Sequence, residues 1–404
     1  MPGPAAWPGS TPISAADPVT RGVSYRETIL QGETVLLAPF LLERYFARYE
    51  FTAEHLLCSS DCESLAVQDL LGLEPSAHER FQNLRLGYTE SAGGEALRSE
   101  IARLYTGIAP KQILVHTGAE EAIFVFMHAV LSPGDHVIVH TPCYQSLSEV
   151  ARSIGCSVTP WMAAEGQGWQ LDLSDLQRAL RPNTQSIVIN TPHNPTGYLM
   201  RRDVFQEVHR IADRHGIILF SDEVYRESEY DPADRLPAAC ELSDHAVSLG
   251  VMSKTYGLPG LRIGWVATRN EAIFARMAAM KDYTSICNSA PSEFLAELGL
   301  RHRAALAQRN VAVIKENLTL LDGLFQRHPA NFNWHRPQAG PIGFPRLIGE
   351  EVEAFCHELV TTAGVLLLPG TVFNDSGNHF RIGFGRRTLP RAVARLEEFL
   401  NHRR

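Results

Sequence analysis

Short β-branched and apolar runs alternate with longer amphipathic stretches through the middle of the chain. The runs Ile113–His116, His136–His140, Ser157–Trp161, Ser186–Asn190, Ile217–Ser221, Ala246–Gly250 and Ile263–Ala267 predict seven strands. Between them, apolar residues recur at helical spacing over Ala119–Leu131, Gln145–Ile154, Leu173–Leu180 and Arg201–Arg214, and these segments predict helices. Runs such as IVIN and IILF lack the polar alternation of a half-exposed strand. They argue for a mainly parallel sheet covered on both faces, an α/β architecture of three αβα layers. Pro133-Gly134 and Arg181-Pro182-Asn183 supply turns, and no internal repeat is visible.

The pattern changes after about residue 290. One long amphipathic stretch runs from Ser292 to Phe325. It is followed by a short strand over Gly343–Leu347, a helix over Glu350–Ala363, apolar strands at Val365–Leu368 and Phe380–Phe384, and a last helix. This reads as a smaller α+β domain. The expected organisation is a flexible arm over 1–28, a first part of the small domain over 29–70, a large domain over 71–300, and the remainder of the small domain over 301–404. A ligand is expected in the cleft between them, at the carboxyl ends of the parallel strands.

At 404 residues, with 45% hydrophobic and 20% charged residues, the composition is that of an ordinary globular protein with ample core, not a disordered or fibrous one. The formal charge of −8 offers no basic surface for nucleic acid, and no apolar run reaches the length of a membrane span. The N-terminal stretch lacks a basic region followed by an apolar one, so it does not read as a secretory signal, and a cytoplasmic location is expected. Seven scattered cysteines include no C-x-x-C pair. Cys58 and Cys62 read as two buried thiols, with pairing or metal binding as the alternative. Sixteen histidines include no H-E-x-x-H motif, so no metal site is expected.

Only four lysines occur: Lys111, Lys254, Lys281 and Lys315. Lys254 follows a strand and opens the turn SKTYGLPGLRIG. A lysine desolvated at a strand end has a lowered pKa and can form a Schiff base with a carbonyl. Four further segments share strand-end positions. Thr117-Gly118-Ala119-Glu120 joins a strand to a helix, and its small residues let backbone N–H groups approach a phosphate. Asn194 lies in TPHNPTG, Asp222 and Tyr225 in SDEVY, and Arg381 in HFRIGF. Each has a plain structural alternative as a cap, a turn or a surface group. His193, beside Asn194, reads as a substrate contact or as turn structure.

Together these motifs resemble the class I/II aminotransferase family of fold type I pyridoxal 5′-phosphate enzymes, over most of the chain from about Tyr88 onward. The resemblance implies the fold of that group and pyridoxal 5′-phosphate as cofactor. Lys254 would hold it as a Schiff base, Asp222 would pair with the pyridine nitrogen, and Tyr225 and Asn194 would hydrogen-bond the ring's phenolic oxygen. Gly118, Ala119, Glu120, Ser253 and Arg262 would hold the phosphate, and Tyr144 would stack on the ring. Arg381 would take the substrate carboxylate, with Asn194 beside it. Tyr88, backed by Gly94, Leu97 and Arg98, would reach the phosphate of a second subunit, which implies a homodimer. The substrates implied are an α-amino acid and a 2-oxo acid, exchanged by transamination. Some stretches, LLERYF among them, are similar to capreomycidine synthase, so elimination and cyclisation, β-lysis or oxidation of an amino acid is the alternative. A DNA-binding regulator on this scaffold is disfavoured, because residues 1–30 are short and proline-rich. Three departures from the family's pattern fall at the pocket edges: Val251 in place of a hydroxyl residue, the segment Leu57-Cys58-Ser59-Ser60-Asp61-Cys62-Glu63, and Gly340-Pro341-Ile342-Gly343-Phe344-Pro345.

Overall fold

A computed structural model describes residues 37–403; the arm expected over 1–28 lies outside the described residues. Seven strands form the central sheet: β1 (Ile113–His116), β2 (His136–Thr141), β3 (Ser157–Met162), β4 (Thr184–Asn190), β5 (Ile218–Asp222), β6 (Ala246–Val251) and β7 (Gly264–Ala267). Their order is β1-β7-β6-β5-β4-β2-β3. Pairing is parallel from β6 through β5, β4, β2 and β3, whereas β7 runs antiparallel to both β6 and β1. The apolar runs behave as their continuity predicts, because β1, β5, β6 and β7 are buried along their whole length. β3, at the sheet edge, leaves Ser157 and Met162 exposed.

The helices predicted between strands form at Gly118–Val130, Ser146–Ile154, Leu173–Ala179 and Arg202–His215. Asp172 caps the third of these, accepting from Ser174 N–H at 2.8 Å. Helices cover both faces of the sheet, and Val125, Phe126 and Met127 of the first pack on Phe220 and Val247.

The C-terminal region departs from expectation at three places. The single helix expected from Ser292 to Phe325 is two, Ala290–Arg301 and Arg303–Arg327. They break at His302, whose φ of −107° leaves the helical range. Glu74 fixes the break, accepting from Arg301 Nε at 2.8 Å and Nη2 at 3.1 Å and lying 3.2 Å from His302 Nε2. The strand expected over Gly343–Leu347 divides at Pro345, which has no N–H to donate. Ile342–Gly343 pairs with Ile382 and Gly383, while Arg346–Leu347 pairs with Asn333 and Phe332. The run Val365–Leu368 also changes partners, from His55–Leu56 on one side of Leu367 to Phe380–Arg381 on the other. A separate apolar core lies here, in which Leu57 and Cys62 meet Ile314, Leu318, Phe355 and Phe380. Cys58 packs instead with Leu42 and Leu366. The two cysteines are therefore buried in different clusters, with free thiols that burial pushes up to about 12.

Candidate functional site

The carboxyl ends of β1, β2, β4, β5 and β6 open onto one cavity of about 360 Å³. β7 runs the other way, so Arg262, two residues before it, arrives at the same edge. Ala119, Glu120, Tyr144, Asn194, Asp222, Tyr225, Ser253, Lys254, Arg262 and Arg381 all border this cavity. A wider hollow of about 720 Å³ beside Tyr230, Lys315 and Arg336 gathers none of them.

Asp222 ends β5 and is 5% exposed. Its Oδ1 accepts from Val224 N–H at 3.2 Å, while its carbonyl accepts from Asn190 Nδ2 at 2.9 Å. Asn190 also accepts from Asn194 N–H at 2.6 Å, which ties the β4 and β5 ends into one frame. Burial pushes the Asp222 carboxyl up to about 7, against smaller opposing effects of the Val224 N–H and the Lys254 amine.

Lys254 follows β6, and its Nζ donates to Ser60 Oγ at 2.8 Å. Burial pushes this amine down to about 8. Asp61 and Asp222 oppose the shift, while Arg381 and Arg262 add to it. Burial also pushes the Tyr225 hydroxyl up; it donates to the Ser60 carbonyl at 3.2 Å.

Arg381 is 1% exposed. Nε and Nη2 donate to the Cys58 carbonyl at 3.1 and 2.9 Å, Nη1 donates to Asn194 Oδ1 at 3.2 Å, and the Phe373 ring lies 5.5 Å from its Cζ. Its hydrogen-bond partners are a backbone carbonyl and an amide oxygen rather than a carboxylate, and a buried guanidinium so placed lacks the close counter-charge that would offset its desolvation. One N–H on each of Nη1 and Nη2 is left over, and that edge matches a carboxylate.

Gly118 opens the helix after β1 at φ +84°. A Cβ there would lie 2.4 Å from Arg262 Nη2, so only glycine lets the guanidinium lie against the helix N-terminus. Arg262 itself holds φ +51°, a conformation that costs a non-glycine residue energy and collects at functional sites.

Two residues singled out in the sequence lie elsewhere. Tyr88 is 95% exposed and does not border the cavity of its own chain. His193 is turn structure rather than a wall of the cavity: it is buried, stacked on His140 with ring centroids 3.8 Å apart, and its Nδ1 is 2.7 Å from Thr196 Oγ1. Burial lowers it to about 3. The Asn194–Pro195 bond is cis. Val251 is buried in the core and does not border the cavity, where Ser253 stands instead.

Sequence reasoning missed Ser60 and the wall formed by Leu42, Glu43 and Phe46 of the helix Leu41–Tyr49. The helix has a signal, since Leu42 and Phe46 share a face at i, i+4. Ser60 has none, because a serine in a polar loop becomes notable only through what the fold brings to it.

The sequence profile described as aminotransferase class I and II matches residues 56–396. The chain is similar to capreomycidine synthase of Streptomyces vinaceus, 30% identical over 371 residues that make up 90% of this chain and 93% of the relative. Among solved structures, a PLP-dependent aminotransferase from Streptococcus suis superposes with a TM-score of 0.86 at 33% identity, covering 91% of this chain and 98% of the other. The PLP-dependent cyclase OrfR superposes with a TM-score of 0.83 at 30% identity over the same shares. The chain thus belongs to the class I and II aminotransferases, enzymes that depend on pyridoxal 5′-phosphate.

Proposed function

We propose that this enzyme transaminates an α-amino acid with a 2-oxo acid, using Lys254 as the cofactor-linking amine. The observation that carries the substrate class is Arg381: a buried guanidinium with no carboxylate partner borders the same cavity as an amine held near pH 8. An anionic group on the substrate, an amino acid's carboxylate, supplies the missing charge.

The residues fit the cofactor. At one end, the N-terminus of the helix beginning at Gly118, together with Ser253 and Arg262, forms an anion cradle that a Cβ at Gly118 would fill. At the other, the Asp222 carboxylate suits a protonated ring nitrogen, while Tyr144 and Val224 border the space between. When bound, pyridoxal 5′-phosphate supplies an electron-accepting ring for chemistry at the amino acid's α-carbon. Asp222 keeps negative charge beside the ring nitrogen. Tyr225 and Asn194 offer a hydroxyl and an amide beside Lys254 and Arg381. Lys254, once freed by substrate, is a weak enough base at about 8 to take a proton from carbon and return it near neutral pH.

We extend the proposal to a homodimer acting in the cytoplasm, in which Tyr88 serves the second copy's phosphate. The exposure of Tyr88, and of the large side chains Leu86 at 83% and Tyr283 at 89%, supports that reading. No described helix is long and apolar enough to cross a membrane.

A second reading, elimination with cyclisation of an amino acid, is favoured by the likeness to capreomycidine synthase and to the cyclase OrfR. Adding an amino acid without an oxo acid separates the two. Transamination changes the cofactor's absorption by one equivalent and stops until an oxo acid restores it. Ammonia or a cyclised product accumulating over many turnovers would establish the second reading and overturn the first.

Gly118→Ala tests the cradle. A Cβ there would push the Arg262 guanidinium off the helix N-terminus, and losing a hydrogen bond to a charged group costs about 1.5–3 kcal/mol, so cofactor affinity is expected to fall about 10–150-fold. Fluorescence titration of the cofactor-free protein measures it, and unchanged affinity would refute the assignment.

A further inference from the structure

The segment 57–63 is held by its neighbours from end to end. Gly383 N–H donates to the Leu57 carbonyl and Glu63 N–H to the Gly385 carbonyl, both at 2.9 Å. Arg381 holds the Cys58 carbonyl. Arg386 grips Asp61 with both arms, Nε to Oδ1 at 3.1 Å and Nη2 to Oδ2 at 2.9 Å. The backbones meet so closely at Gly383 that a Cβ there would lie 1.9 Å from the Ser59 carbonyl oxygen. Tyr225 holds the carbonyl of Ser60 itself. The one hydroxyl this segment presents beside Lys254 is therefore fixed in place, and it meets Nζ at 2.8 Å.

We propose that Ser60 is a positioning residue for the free Lys254 amine, and that its Oγ accepts a hydrogen bond from Nζ while that nitrogen moves the substrate's proton. The proposal rests on the reading of Lys254 given above. When Nζ takes a proton, the C–H bond breaks, an N–H bond forms, and the electron pair left on carbon passes to the cofactor ring. The amine becomes an ammonium with three donors to satisfy at a half-buried position, and Ser60 Oγ takes one of them. In the neutral amine the same bond restrains rotation about the Cε–Nζ axis, so the lone pair is not spread over all directions.

The charged and titratable groups that face Lys254 come from every wall: Asp61, Asp222, Tyr225, Arg262 and Arg381, with Glu43 and Glu120 farther along the cavity. Ser60→Ala changes none of them. A hydrogen bond to a charged group is worth about a 10–100-fold change, so Ser60→Ala is expected to slow loss of α-deuterium from a labelled amino acid by about that factor, with substrate affinity little changed. Ser60→Thr, which keeps the hydroxyl, is expected to restore the rate. In the cofactor-free protein, amine labelling of Lys254 followed by peptide mass spectrometry against pH should show its midpoint shifted down by about one unit in Ser60→Ala, because the ammonium has lost an acceptor. Ser60→Cys carries the same expectations at smaller amplitude and serves if Ser60→Ala does not fold. A Ser60→Ala protein matching the native one in either the exchange rate or the labelling midpoint overturns the proposal. Failure of borohydride to fix the cofactor on Lys254 of the native protein would instead overturn the reading on which it rests.

Discussion

Lys254→Ala should lose covalent capture of the cofactor outright and turnover by about 10⁴-fold or more, since the proposed function makes the same nitrogen both nucleophile and proton carrier. Burial lowers this amine to about 8 from an ordinary 10.5, so a useful fraction is neutral at physiological pH. An ammonium cannot attack an aldehyde. The rate at which the native apoprotein captures the cofactor should therefore rise with pH through a midpoint near 8 and level off above it. The remaining lysines provide the control. Lys281 is also buried, but its Nζ is occupied by the carbonyls of Ser91 at 2.6 Å and Ile286 at 3.1 Å and does not border the cavity. Borohydride reduction followed by peptide mapping should mark Lys254 alone. A mark on another lysine, or normal turnover in Lys254→Ala, would end the assignment.

Asp222→Asn should slow turnover by about 10³-fold or more, because the charge proposed to favour a protonated ring nitrogen is gone. The same substitution should stabilise the cofactor-free protein at alkaline pH. The Asp222 carboxyl stands near 3.8 when unfolded and about 7 when folded, so its neutral form is the one the fold favours. Stability is intact below the unfolded value and declines as pH rises towards 7, by a difference on the order of 4 kcal/mol once both states are ionised. Asparagine keeps the Val224 contact and carries no charge, so it escapes that decline. Melting curves of the two cofactor-free proteins should coincide near pH 4 and separate at pH 8, with Asp222→Asn the more stable. Loading with cofactor should erase or reverse the gap, since a ring cation then faces the native carboxylate. Identical melting at pH 8 would show that burial does not hold the Asp222 carboxyl above its ordinary range. Function bought with local instability is a recurring pattern in enzyme sites.

Much of this was legible in the residues. β1 forms over the predicted Ile113–His116 and the other sheet strands within two residues of expectation, because unbroken apolar runs bounded by Pro, Gly and Asn permit little else. That Lys254, Asp222, Asn194 and Arg381 would meet at one cavity was legible because each lies in a dense local motif. The break at His302 was not, since the apolar periodicity continues through it and the cause, Glu74, is distant in sequence. The division at Pro345 had a local signal, the missing N–H, that the apolar run masked. His193 was ambiguous because a histidine beside a site residue looks the same whether it faces the cavity or, as here, stacks behind it on His140. Ser60 depends on close approach by Gly383 and Gly385, more than three hundred residues away in the sequence, and no local pattern encodes such a meeting.

The reversed strand β7 has a consequence for how this site tolerates change. Val251 and Gly264 pair across the β6–β7 ladder, and Lys254 and Arg262 both lie on the single loop that this pair closes. The span between the proposed cofactor-linking amine and the proposed phosphate contact is thus gauged by one hairpin, like the jaws of a caliper on a common bar. Point replacements along that loop leave the bar intact, whereas losing or gaining one residue resets the gauge itself. Length here should prove more tightly constrained than composition.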